Sequence, residues 1–143
     1  MKIFKIVGII SIIIVTVIAG TIGKQIVNSI FYQNPSFDEQ LMRAAEELNK
    51  SCPFLVDSDT QLDATMGGPG KTFTYKYTLI NFSKGEIDSD EFVNVLRPTL
   101  INMIKTSKDM EFFRNKLVTM NYTYYDMYGI FIAKIEITPE DYN

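Results

Sequence analysis

The chain has 143 residues, of which 46% are hydrophobic and none is histidine. A chain of this length holds one domain of ordinary size. Beyond residue 24 it carries 11 basic and 17 acidic residues, and this net negative charge repels nucleic-acid phosphates. The lack of histidine excludes Ser-His-Asp and Cys-His nucleophilic sites and the usual zinc ligand sets. We therefore expect no nucleic-acid partner, no cofactor and no enzyme activity.

The start of the chain is a candidate membrane segment. Two lysines precede 17 uncharged residues, Ile6 to Ile22, of which 11 are Ile or Val. Inserting those side chains into a membrane contributes roughly −3 to −6 kcal/mol. We predict that residues 3–22 enter the membrane and that residues 1–24 form a transmembrane anchor or uncleaved signal.

Cleavage of this segment is the alternative. Val17-Ile18-Ala19 resembles a signal-peptidase site. The helical apolar pattern continues through Ile22, Ile26 and Ile30, and polar residues typical of a cut are lacking, so we favour a retained anchor. The basic residues lie mainly before the apolar run, which favours a cytoplasmic start and a domain outside the cytoplasm.

A stalk over residues 25–35 ends at Asn34-Pro35, and a domain follows over residues 36–143. Ser36 and Glu39 have the spacing of a capping box. One helical face then carries Leu41, Ala44, Ala45 and Leu48. We predict a helix that ends at the segment from Asn49 to Pro53.

Strand periodicity comes next. From Thr72 to Ile80 large apolar side chains alternate with Thr and Lys, which predicts a half-buried strand. A weaker strand runs from Thr60 to Met66. The residues between them, Gly67 to Gly70, are typical of a turn.

The second half repeats helix and hairpin. Asp88 is a candidate N-cap of a helix that contains Pro98, so we expect a kink or two short helices. A short helix follows from Ser107. Strands over Val118–Asp126 and Ile130–Thr138 are joined through Met127-Tyr128-Gly129. The predicted fold class is α+β: helix, β-hairpin, helices, β-hairpin, with an antiparallel sheet and helices on one face.

Two segments imitate ligand-binding motifs. Gly70-Lys71-Thr72 has the ending of a phosphate-binding loop, but Thr65 occupies the position of the first glycine and a strand follows where a helix is needed. Lys84 to Phe92 resembles half of a calcium-binding loop, yet the other ligand positions hold Ile80, Phe82 and Lys84. We predict that neither nucleotide nor calcium binds there.

Asp57, Asp59 and Asp63 are the remaining acidic cluster. Solvated loop carboxylates explain them better than a cation site, because no further ligand completes a shell. A carboxylate-dependent hydrolase built on them is the least favoured function. Cys52, the single cysteine, is interpreted as a small buried apolar group.

Four tyrosines lie within seven residues at the second hairpin: Tyr122, Tyr124, Tyr125 and Tyr128. Alternation places Tyr122 and Tyr124 on one face of the strand and Tyr125 on the other. Packing within the sheet accounts for one face. Exposed tyrosine suits a binding surface, and the four residues are therefore the candidate partner site.

The pattern L-N-K-x-x-P-x-x-V-D-x-x-T-x-L-D at Leu48–Asp63, followed by Tyr75-Lys76-Tyr77-Thr78 and by Tyr124, Asp126 and Gly129, resembles small bacterial envelope proteins. These proteins have an N-terminal hydrophobic segment and no established activity. The resemblance implies a bacterial envelope location. It also implies that Asp57, Thr60 and Asp63 form a structural corner that bonds the following hairpin.

We therefore expect a single-pass protein of the bacterial inner membrane, with its domain facing the periplasm or the cell exterior. Its expected work is binding another envelope protein through the face or edge of the sheet. The alternative is a carrier of small ligands, secreted to the periplasm after cleavage near Ala19. The sign of a carrier would be a deep apolar pocket between sheet and helices.

Overall fold

The computed structural model describes residues 36–143, so the predicted anchor (1–24) and stalk (25–35) lie outside the described residues. Within this part, no helix has both the length and the apolar character of a membrane span. The α-helices and strands, in chain order, are α1 (Phe37–Asn49), β1 (Phe54–Leu55), β2 (Thr60–Gly68), β3 (Thr72–Leu79), α2 (Ser89–Thr106), α3 (Glu111–Asn115), β4 (Thr119–Tyr125), β5 (Phe131–Ile137) and α4 (Pro139–Tyr142). Short 3-10 helices lie at Lys84–Glu86 and Lys108–Met110.

The first helix begins as the sequence predicts. The hydroxyl of Ser36 accepts a hydrogen bond from the backbone N–H of Glu39, and the Glu39 carboxylate accepts one from the N–H of Ser36. The carboxylate of Asp38 accepts from the N–H groups of Gly70 and Lys71. The start of α1 is thereby attached to the turn between β2 and β3.

The β2–β3 hairpin is confirmed, but its turn is shorter than predicted. Gly67 lies within β2 and faces α1, where an added Cβ would come within 2.2 Å of the Leu41 carbonyl carbon. Glycine therefore serves close helix–strand packing at this position. The reversal itself uses Gly70 and Lys71, which have φ angles of 74° and 57°.

The five strands form one sheet in the order β1-β2-β3-β4-β5. Neighbouring strands are antiparallel except β3 and β4, which are parallel. The expectation of a wholly antiparallel sheet is therefore wrong at this pair. The chain leaves β3 through α2 and α3 and returns to the end at which β3 began, which is the connection that parallel strands require.

The structure has one helix, α2, that continues through Pro98, so the expectation of two short helices is wrong. The Asp88 carboxylate caps it by accepting from the N–H groups of Asp90 and Glu91. Pro98 and Asn94 are both exposed, so the Asn94 carbonyl that loses its helical donor faces solvent. The proline is therefore tolerated without ending the helix.

The helices cover one face of the sheet, here called the inner face. Phe92 of α2 packs edge-on against Tyr124 at 5.0 Å between ring centroids, and Phe113 of α3 lies 5.3 Å from Phe73. Burial of each such side chain contributes roughly 1.5–3 kcal/mol. The opposite, outer face carries exposed Lys76 and half-buried threonines of β3 and β4.

A β-bulge in the second hairpin changes which residues face the core. The register between β4 and β5 shifts between Tyr124 and Tyr125, so that Tyr124 pairs with Ala133 whereas Tyr125 pairs with Phe131. Strict alternation would place Phe131 on the same face as Ala133, but the bulge leaves Phe131 on the outer face, and Ile132 is buried instead.

Candidate functional site

The structure separates the four tyrosines of the predicted partner site. Tyr122 and Tyr124 are 1% and 0% exposed and belong to the inner face. Tyr125 is half-buried on the outer face, and Tyr128, in the turn, is 71% exposed. With the core intact, only Tyr125 and Tyr128 are accessible to a partner.

Three further apolar residues surround these two tyrosines. Met127, Ile130 and Phe131 are all exposed, and the Phe131 ring packs edge-on against Tyr125 at 5.8 Å. We call Tyr125, Met127, Tyr128, Ile130 and Phe131 the hairpin platform. Sequence reasoning missed the three non-tyrosine members, although apolar residues in a turn, where polar ones are usual, were an available signal.

Asp126 holds the turn that presents the hairpin platform. One carboxylate oxygen accepts from the N–H groups of Tyr128 and Ile130, both at 2.8 Å, and the other accepts from the N–H of Lys84 at 2.7 Å. The N–H of Met127 donates to the carbonyl of Phe82. Backbone groups from two segments of the chain therefore fix the turn.

The electrostatics of Asp126 follow from these bonds. Burial acts to raise the pKa of the Asp126 carboxyl, but the donated backbone hydrogen bonds and the charge of Lys84 together hold the pKa below its ordinary value. The side chain is therefore a carboxylate at neutral pH. Beside the platform, the ammonium of Lys76 lies 4.9 Å from the centroid of the Tyr125 ring, a cation–π contact.

At both edges of the sheet, side chains form hydrogen bonds with backbone groups of the strands. The amide of Asn49 donates to the Thr65 carbonyl at 2.8 Å and accepts from the Thr65 N–H at 2.6 Å, beside β2. On β5, the hydroxyl of Ser89 donates to the carbonyl of Ile132, and Arg97 donates to that of Glu136. These contacts compete with an incoming strand, so the geometry favours the hairpin platform over an edge as a docking site.

The predicted corner residues make structural hydrogen bonds. Asp57 accepts from the N–H groups of Asp59 and Thr60 at 2.8 and 2.7 Å, and Asp63 accepts from the Thr78 hydroxyl of β3 at 2.7 Å. Asp59 accepts from the Asn81 amide. Within residues 36–143 no three His, Cys, Asp or Glu side chains form a group suited to a metal ion.

Cys52 is half-buried, and its thiol donates to the carbonyl of Leu48 at 3.6 Å. Burial raises the pKa of the Cys52 thiol, and the negative charge of Asp63 raises it further. The protonated, unreactive form is therefore favoured at neutral pH.

Known structures share this fold. A protein from Pseudomonas aeruginosa described as secreted has a TM-score of 0.62 and 10% identity, over 87% of this chain and 99% of its own. The pilotin EpsS of the Vibrio vulnificus type 2 secretion system has a TM-score of 0.55 and 9% identity, over 84% of this chain and 97% of its own. The type II secretion system pilotin AspS from Vibrio cholerae has a TM-score of 0.54 and 9% identity, over 82% and 96%. At these identities the likeness establishes the fold.

The family is established by sequence. The model described as Domain of unknown function (DUF8479) matches residues 36–129, more than half of the chain, and the chain belongs to that family. No curated protein matches significantly. The matched region includes Leu48–Asp63, where the proposed sequence motif stays a prediction.

Proposed function

We propose that this protein is a membrane-tethered domain of the bacterial envelope, that it binds another envelope protein through the hairpin platform, and that it performs no catalysis. The apolar segment at residues 3–22 supports the tether. Structural likeness to a protein described as secreted and to two secretion-system pilotins supports the envelope location. The residue inventory, without histidine, supports binding over catalysis.

The single observation that carries the proposal is a rigid turn with an apolar surface. Burial of exposed apolar side chains by a partner lowers the free energy of the complex. The exposed apolar side chains of this turn are Met127, Tyr128, Ile130 and Phe131. The hydrogen bonds of Asp126 order this turn before any partner arrives. Little conformational entropy is then lost on binding, and exposed aromatic residues such as Tyr128 and Phe131 are typical of interface hot spots.

Site-specific photocrosslinking in cells tests this proposal. A benzophenone amino acid replaces Tyr128 in the full-length chain, and a second variant carries it at Leu55. Leu55 is a matched control because it is exposed and lies at the opposite side of the sheet, where its cross-strand row reaches Phe131 of the platform four strands away, at roughly 19 Å. We expect one recurrent crosslinked protein from position 128 and a much weaker product from position 55.

The protein crosslinked from position 128, once identified, allows its affinity for the domain to be measured. Tyr128→Ala and Phe131→Ala should each weaken binding at least about 10-fold, because buried aromatic residues dominate interface energies. Leu55→Ala should leave binding unchanged, and all three variants should keep the circular dichroism spectrum of the parent protein. Unchanged binding by both platform variants, or crosslinking at position 55 alone, would refute the assignment.

A further inference from the structure

Four tyrosines of the inner face form a second feature, separate from the hairpin platform. Tyr75 and Tyr77 of β3 stack on their register partners in β4, Tyr122 and Tyr124, at 5.3 and 5.2 Å between ring centroids. Tyr75 and Tyr77 are 6.1 Å apart along β3. We call these four residues the tyrosine cluster. Because neighbouring rings leave the same face of the sheet, their hydroxyl ends reach into the same part of the interior.

Most of these hydroxyl ends lack hydrogen bonds. The hydroxyl oxygens of Tyr77, Tyr122 and Tyr124 are buried and have no hydrogen-bonding partner among the described residues. Roughly 90% or more of buried polar groups in proteins are paired with protein or with ordered water. Three unpaired hydroxyls on adjacent rings therefore require a common explanation.

Two polar atoms of the predicted corner are also buried and without a hydrogen-bonding partner in the described chain. They are the second carboxylate oxygen of Asp57 and the hydroxyl of Thr60. The first carboxylate oxygen of Asp57 is held by two backbone N–H groups, which fixes the direction of the second. Thr60 pairs with Leu79 and Leu62 pairs with Tyr77, so the corner adjoins the end of the tyrosine cluster formed by Tyr77 and Tyr124. In agreement with this placement, burial raises the pKa of Tyr124 and the charge of Asp57 raises it further.

We infer that the tyrosine cluster and Asp57 enclose a binding site for small neutral hydroxylic molecules, of which water is the smallest. The chemistry of the groups selects this class. A phenol both donates and accepts a hydrogen bond, whereas the carboxylate oxygen only accepts. A hydroxylic molecule can donate to Asp57 and exchange hydrogen bonds with the tyrosines, whereas an anion is repelled by the carboxylate. A bound water needs two to four such partners.

Stability measurements test whether the hydroxyls are used. Tyr77→Phe and Tyr124→Phe remove one hydroxyl each and preserve the stacked rings. If the hydroxyls bind a guest, the unfolding equilibrium constant rises about 2- to 10-fold for each variant. Tyr128→Phe, at an exposed site, is the control and should leave the constant unchanged. Variants that unfold less readily than the parent chain would show that the hydroxyls are merely unpaired, and would overturn the proposal.

The identity of the guest is tested on the full-length chain in detergent. A high-resolution crystal structure should contain ordered density within hydrogen-bonding distance of at least two hydroxyls of the tyrosine cluster. Where this density is present, native mass spectrometry distinguishes the guests: an added mass identifies a larger hydroxylic molecule, whereas the bare polypeptide mass leaves water, which is lost on desolvation, as the source of the density. Absence of density at the hydroxyls would overturn the inference, whatever the fate of the hairpin platform.

Discussion

At the β4–β5 turn, one buried side chain shapes a surface to which its own atoms do not contribute. The Asp126 carboxylate accepts from the backbone N–H groups of Lys84, Tyr128 and Ile130. Without this carboxylate, those N–H groups would donate to water instead, and the turn would sample other conformations. The order of the hairpin platform therefore depends on the charge of Asp126.

This dependence predicts an effect of pH. The folded-state pKa of Asp126 is depressed below its ordinary 3.8, so its stabilising contribution is complete above that value and is lost as the pH falls through the folded pKa. Asp126→Asn should lower the urea midpoint at pH 7, and the difference from the parent should shrink below about pH 4. Asp141 and Glu140, whose pKa values are also lowered, are present in both proteins and cancel in the comparison. An equal difference at both pH values would contradict this account.

Gly67 provides a steric prediction. An alanine Cβ there would meet the backbone of Leu41 and Met42 at 2.2–2.4 Å, so α1 must move away from β2. Gly67→Ala should destabilise the domain by about 1–3 kcal/mol or more in urea unfolding. Gly85→Ala is the matched control, because its Cβ would meet nothing within 4 Å, and it should be nearly neutral. Equal stability of the two variants would mean that α1 does not pack as described.

At the scale of the elements, the sheet is protected by helix side chains. Asn49 of α1 satisfies both backbone groups of Thr65, and Arg97 of α2 links β5 to α4 by donating to the Glu136 carbonyl and pairing with Asp141. Both contacts place a helix side chain where a further strand would form its ladder. They connect helix packing with resistance to strand-mediated association.

Removing one of these side chains should have two consequences. Asn49→Ala leaves the N–H and carbonyl of Thr65 without their partners, which should cost about 2 kcal/mol in urea unfolding. It also uncovers the side of β2, so we expect concentration-dependent association by size exclusion with light scattering. Asn102→Ala, on an exposed position of α2, should remain stable and monodisperse like the parent. A stable, monodisperse Asn49→Ala protein would argue against this role.

For the molecule as a whole, the proposed tether would determine where the hairpin platform can meet a partner. We expect intact-mass analysis of the tagged protein to find the full-length chain in the membrane fraction, because the Ile- and Val-rich run at residues 6–22 favours membrane insertion. Mutating two residues of that run to Asp should release the chain to the soluble fraction. Soluble parent protein lacking its first ~20 residues would instead establish signal cleavage and a secreted protein.

Local patterns in the sequence predicted much of this domain. The Ser36–Glu39 capping box located the start of α1, and alternation located β3, β4 and β5, because both signals depend on neighbouring residues. The same alternation separated Tyr124 from Tyr125 correctly. It could not say which face meets helices, and so it could not distinguish the buried tyrosines from the accessible ones.

The remaining features arise from contacts between residues that are distant in sequence. Parallel pairing of β3 with β4 depends on the path of the helices between them, and the outward position of Phe131 depends on a bulge in the strand pairing. The hairpin platform likewise needs Lys84 to meet Asp126 across 42 positions. The sequence by itself determined the local elements and the apolar N-terminal run, and it excluded chemistry that depends on histidine. Only the tertiary structure decided strand direction, the buried tyrosine cluster and the exposed apolar turn, because each is set by packing that no local pattern encodes.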